Sequence, residues 1–135
     1  MLGIIGAMSE EVARLKSEME DVLVCSAAGM DFYQGILRGR EAVVVRSGIG
    51  KVNAAVCSQI LVDQYHVTRI INTGIAGSLR NEINIGDIVL SKDTLQHDMD
   101  ATGFGYAVGQ IPQMDKSVFE GDSSMIEAAK ECCAQ

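Results

Sequence analysis

Apolar residues fall along this chain in short runs punctuated by glycine, and the runs differ in their period. Residues 1–7 are almost continuously apolar and break at small residues, the pattern of a strand covered on both faces. Ser9 then offers an N-cap oxygen, and Glu10 and Glu11 fall in a first turn, where the helix dipole favours anions. Val12, Leu15, Met19 and Val22 follow at helical spacing, which predicts an amphipathic helix over 9–21. Strand-like stretches at 31–37 and 41–47, joined by Arg38-Gly39-Arg40, predict an antiparallel hairpin. A helix of small residues is expected over 51–65, with Val52, Ala55, Val56 and Ile60 facing a sheet. Residues 68–73 read as a strand running into Gly74-Ile75-Ala76-Gly77, and 85–92 as one more. No period organises 95–117, which holds Gly103, Gly105, Gly109 and Pro112; a long loop within a compact domain is usually functional. Residues 123–133 read as a short helix capped by Asp122 or Ser123.

Strands alternating with helices give an α/β class, and the hairpin makes the central sheet mixed, flanked by helices. Three strands end in loops of small residues: Gly6-Ala7-Met8, Ser47-Gly48-Ile49-Gly50 and Gly74-Ile75-Ala76-Gly77. In a parallel sheet such loops gather at the carboxyl edge, where ligands bind, and glycine lets backbone amides approach a ligand closely. That arrangement suits a small-molecule pocket.

Composition narrows the picture further. At 135 residues, 47% hydrophobic and 21% charged, the chain is expected to form one globular domain rather than a disordered or fibrous segment. A net charge of −7 without a basic stripe argues against a nucleic-acid partner. No apolar run reaches the roughly 18 residues that would indicate a bilayer span, and the first residues lack the charged leader of a signal peptide. Cys25, Cys57, Cys132 and Cys133 form no CxxC pattern, so reduced thiols in a cytoplasmic protein are expected. Gly48-Ile49-Gly50-Lys51 fails the Walker pattern at Val45 and Val52, and the dinucleotide fingerprint fails at Asn53. His97-Asp98-Met99-Asp100 gathers metal-capable groups, but no further residues complete a ligand set, so no metal is expected. There is no Gly-x-Ser-x-Gly elbow.

Several segments nonetheless occur together in order. They are Ile4-Ile5-Gly6-Ala7-Met8-Ser9-Glu10-Glu11-Val12, Ser47-Gly48-Ile49-Gly50-Lys51-Val52-Asn53, Ile71-Asn72-Thr73-Gly74-Ile75-Ala76-Gly77, Gly86-Asp87-Ile88-Val89 and His97-Asp98-Met99-Asp100-Ala101-Thr102-Gly103-Phe104-Gly105-Tyr106. In this register, from residue 1 to about 115, the chain resembles the 5'-methylthioadenosine/S-adenosylhomocysteine nucleosidases of the purine nucleoside phosphorylase-like superfamily. The resemblance implies hydrolysis of an N-glycosidic bond, releasing adenine and a 5-thioribose with no cofactor. It implies that Glu11 holds and deprotonates the attacking water; from residue type alone, Glu11 reads first as a first-turn glutamate serving the dipole. It assigns Met8 and Ile49 to the apolar wall around the ribose and alkylthio group, and Ile75, Ala76 and Gly77 to the segment lining base and ribose. Met8 could otherwise be core filler. Ala101, Phe104 and Pro112 correspond to residues that reach into the partner's pocket in a homodimer, built here through the 97–112 loop; an isolated Phe104 would simply pack on its own sheet.

Ile75 stands where some relatives carry serine, and its side chain cannot hydrogen-bond to orient a neighbouring acid. Family members also continue well beyond residue 135, with an aspartate that protonates the purine and groups that grip the ribose. The expectation is therefore an incomplete, N-terminal nucleosidase domain that is inactive or nearly so alone. Two alternatives stay open: a purine nucleoside phosphorylase, for which Arg46 is the candidate phosphate ligand, and a non-catalytic nucleoside-binding module. Methylthioadenosine, adenosylhomocysteine, 5'-deoxyadenosine and futalosine all remain as substrates.

Overall fold

A computed structural model describes residues 1–134 and divides the chain into two compact units, Met1–Gly77 and the residues from Ser78 onward. The first unit is built on a five-stranded sheet. Its elements are β1 (Leu2–Gly6), α1 (Ser9–Ser17), β2 (Met19–Ala27), β3 (Met30–Leu37), β4 (Arg40–Arg46), α2 (Lys51–Tyr65) and β5 (Arg69–Asn72), with strand order β2-β3-β4-β1-β5. β1 runs parallel to β4 on one side and β5 on the other, whereas β2, β3 and β4 form an antiparallel meander. The expected mixed sheet flanked by helices is what forms.

Alternation across the pleat explains why β1 and β4 read as continuous apolar runs. Ile5, Val43 and Val45 point to one face, where Phe32, Cys57, Leu61 and Val67 bury against them from β3, α2 and the turn after it. Ile4 and Val44 point to the other, where Val12 of α1 covers them. Both hairpins close through two-residue turns with positive φ, Ala28-Gly29 (51° and 74°) and Arg38-Gly39 (50° and 75°), the handedness that matches strand twist.

Four local expectations are corrected. α1 ends at Ser17 rather than running to 21, and the chain turns directly into β2. Met19 and Val22 fell on the helical period of Leu15 by coincidence. Glu18 marks the stop, its carboxylate taking Arg14 Nε at 2.8 Å and Arg38 Nη2 at 2.6 Å, which ties the helix end to the β3–β4 turn. The N-cap of α1 is Met8, with Ser9 already helical, because Glu11 rather than a serine hydroxyl caps this end. α2 buries Cys57 and Leu61, with Ile60 and Tyr65 partly covered, while Val52 and Val56 are exposed. This helix is apolar on several faces, so sequence period could not select one. Finally, 85–92 forms no strand: Ile85, Ile88 and Val89 lie exposed, and the segment has no ladder partner among the described residues.

In the second unit, β6 (Asp93–Leu95) pairs antiparallel with β7 (Val118–Glu120). Most of 95–117 lacks regular structure, as expected, but it is held by its own hydrogen bonds. Asp100 Oδ1 accepts from Thr102 N (3.0 Å) and Oγ1 (2.7 Å), and Gly109 N donates to Met99 O at 2.8 Å. A 3-10 turn spans Thr102–Phe104, and α3 (Ser123–Cys133) starts from Asp122, whose carboxylate accepts from Ser124 N and Met125 N. That settles the cap in favour of Asp122. No helix among the described residues is long and apolar enough to cross a membrane, and none of their side chains form a metal-holding group.

Candidate active site

The carboxyl ends of the parallel strands β1 and β5 converge on one carboxylate. Glu11 sits in the first turn of α1, immediately after β1, and its side chain turns back over the end of that strand. Oε2 accepts from the main-chain N–H of Ala7 at 2.7 Å and of Met8 at 3.0 Å. Oε1 accepts from Ile75 N at 3.0 Å, bridging to the loop that follows β5. These bonds, led by that from Ile75 and then Met8, hold the Glu11 carboxyl below the ordinary carboxylate range, and partial desolvation opposes them. The group is therefore ionised at neutral pH. A carboxylate offers about four acceptor positions, so three main-chain donors leave one, on Oε1, for a water.

Two glycines make this arrangement possible. A Cβ on Gly74 would overlap Glu11 Oε1 and sit 2.5 Å from its Cδ. A Cβ on Gly6 would come within 2.6 Å of Val12 Cγ1 and 3.1 Å of Glu11 Cβ, prising α1 from the sheet. Around the carboxylate opens a cleft of about 550 Å3 lined by Met8, Glu10, Glu11, Thr73, Gly74 and Ile75, within the size range of small-molecule sites. Thr73 is fixed by its N–H to Ile5 O at 2.8 Å.

The structure thus brings Met8, Glu11 and Ile75 together. Ile49, Ala76 and Gly77 are exposed and do not line this cleft, although Ser47 N ties the start of the Ile49 loop to Gly6 O at 2.9 Å. Ala101 and Phe104 belong to the second unit, where Ala101 is buried and Phe104 is 86% exposed. Pro112 lies in the same irregular segment. Arg46 ends β4, paired in register with Gly6 and exposed. Glu10, Thr73 and Gly74 join the cleft without having been named as site residues, although Gly74 belongs to a glycine loop expected at the carboxyl edge. Gly74 carried a legible signal, since a glycine directly after a strand often marks close approach. Ile75 meets Glu11 through its main-chain N–H rather than its side chain.

Comparison with known proteins places the chain in a family. The family model of the phosphorylase superfamily matches residues 1–135. The chain belongs to that superfamily. It is 47% identical over its whole length to a 5'-methylthioadenosine/S-adenosylhomocysteine nucleosidase of Staphylococcus aureus, covering 59% of that protein. Among solved structures it is similar to the corresponding nucleosidase of Neisseria meningitidis in complex with methylthio-immucillin-A, with a TM-score of 0.94 and 41% identity over 98% of this chain and 57% of that one. The Colwellia psychrerythraea nucleosidase in complex with adenine also gives a TM-score of 0.94, at 43% identity over 99% of this chain and 55% of that one. This superfamily member therefore spans somewhat more than half the length of the relatives it matches.

Proposed function

We propose that these residues supply the water-activating part of a nucleosidase that hydrolyses 5'-methylthioadenosine and S-adenosylhomocysteine to adenine and a 5-thioribose, a reaction of methionine salvage. The observation that carries this reading is the Glu11 carboxylate, ionised and held by three main-chain donors in a cleft at the ends of two parallel strands. Water attacks the anomeric carbon, its proton passes to Glu11, the C–N bond breaks, and the electron pair leaves with the purine, which must take up a proton. A carboxylate of depressed pKa is a weak base, but water bonding to an oxocarbenium-like carbon becomes strongly acidic, so orientation matters more than basicity. Hydrolysis is favoured over phosphorolysis because the cleft lining contains two carboxylates and no basic side chain, a poor place for phosphate.

Glu11, held ionised, is a poor proton donor to the departing base, so the 135 residues alone should release adenine far more slowly than a full-length relative. Met8 and Ile75 provide apolar surface for the sugar and its alkylthio group; the resemblance adds Ile49, Ala76 and Gly77, which lie outside this cleft lining. Phe104 fits a homodimer in which the 97–112 loop meets a second protomer, and its exposed ring supports this; Ala101, assigned there by the resemblance, is buried in its own unit. Free thiols at Cys25, Cys57, Cys132 and Cys133 agree with a cytoplasmic setting.

The test is a chimera in which residues 1–135 replace the matched segment of the Staphylococcus aureus relative. It should release adenine from methylthioadenosine, and Glu11→Gln should lower kcat/KM by about 10²–10⁴-fold. A chimera as active with glutamine at this position as with glutamate would refute the assignment.

A further inference from the structure

Glu11 is anchored in two different ways. Oε2 is held by Ala7 and Met8, within the same helix cap and at most four residues away in sequence. Oε1 is held from Ile75, 64 residues distant, on the chain leaving β5. The local bonds would persist wherever α1 went; the long-range one records the helix end against the next strand. Gly74 is what lets the two meet, because a side chain there would occupy the position of the carboxylate itself.

We propose that Gly74 and Ile75 are positioning residues for Glu11. The bare Cα of residue 74 admits the carboxylate, and the main-chain N–H of residue 75 turns Oε1 so that its remaining acceptor position is presented to the cleft. The inference rests on the role proposed for Glu11, and it explains how isoleucine, with no side-chain donor, can stand beside the acid. The orienting donor belongs to the backbone and is indifferent to the side chain. The isoleucine side chain, 84% exposed, is then free to serve as apolar lining. The other charged group lining the cleft is Glu10, on the same helical turn; Thr73, Gly74 and Ile75 contribute none.

The test uses the 135-residue chain and needs no turnover. Carboxyl-carbon NMR follows the titration of Glu11 in the parent, in Ile75→Val, and in a variant whose residue 75 is the α-hydroxy acid of isoleucine, an ester that deletes only the N–H. Removing the donor should move the Glu11 midpoint upward, Ile75→Val should leave it in place, and Gly74→Ala should raise it as well. A midpoint unmoved by the ester overturns the proposal. As an independent readout, Glu11→Ala should speed hydrogen exchange at the Ile75 amide by about tenfold or more. An unchanged rate there overturns the proposal even if the ester variant does not fold. These results would stand if the chimera failed to release adenine, and a failure here would leave that assay untouched.

Discussion

Glu11 serves three ends with one carboxylate: it caps α1, joins that helix to the loop after β5, and faces the cleft. Its pH behaviour follows from these bonds. Because the folded chain holds this group below its ordinary value of 4.5, the unfolded chain binds more protons in acid. The stabilisation is fully present above about that ordinary value and is lost as pH falls through the lower folded one. Glu18, lowered by hydrogen bonds from Arg38 and then Arg14, acts in the same direction. Urea midpoints measured from pH 7 down to pH 3 should fall, and Glu11→Gln should flatten part of that slope. A Glu11→Gln profile parallel to the parent's would contradict the assigned bonds. At this scale the sequence was informative in type but not in linkage. The residue pattern identified a first-turn glutamate beside a glycine loop, yet nothing in it could show that a main-chain donor 64 residues away takes Oε1.

Among the elements, those whose burial is decided locally were legible and those decided by partners were not. β1 and β4 are covered on both faces and read as such, and the type I' turn at Arg38-Gly39 announced its hairpin. β2 was hidden because its residues sit at a sheet edge, mostly exposed, where selection for apolar alternation is weak. It also carries a register shift between Glu20 and Leu23, with Asp21 at positive φ, which interrupts any period of two. α2 shows the converse problem, since several of its faces are apolar and only packing chose the one through Cys57 and Leu61. Burial raises the Cys57 thiol to about 11 and closes it to reagents. At pH 8, a thiol reagent should label Cys25, Cys132 and Cys133 quickly and Cys57 only through opening of the fold. Leu61→Ala, which should cost about 2–5 kcal/mol in urea unfolding, should speed that last step. Equal labelling of all four thiols in the folded chain would show that α2 does not pack as described.

For the whole molecule, both clusters that form the core lie between residues 1 and 70, inside the first unit. A chain ending at Gly77 should therefore retain a cooperative urea transition, whereas residues 78–135 alone should show a shallow one; a non-cooperative 1–77 chain would count against this division. The amino-acid order by itself determined the α/β alternation, the mixed sheet and the motifs that place the chain in its superfamily, because these depend on period, turn chemistry and short segments read in register. It also marked 85–92 as a strand from its β-branched apolar residues, but a strand exists only when a neighbouring edge accepts its hydrogen bonds, and none among the described residues does. Tertiary structure alone decided which face of α2 is buried, where α1 stops, and that Gly74 must lack a side chain so that Glu11 can reach Ile75. Those outcomes depend on atoms far apart along the chain, whose separation no local period encodes.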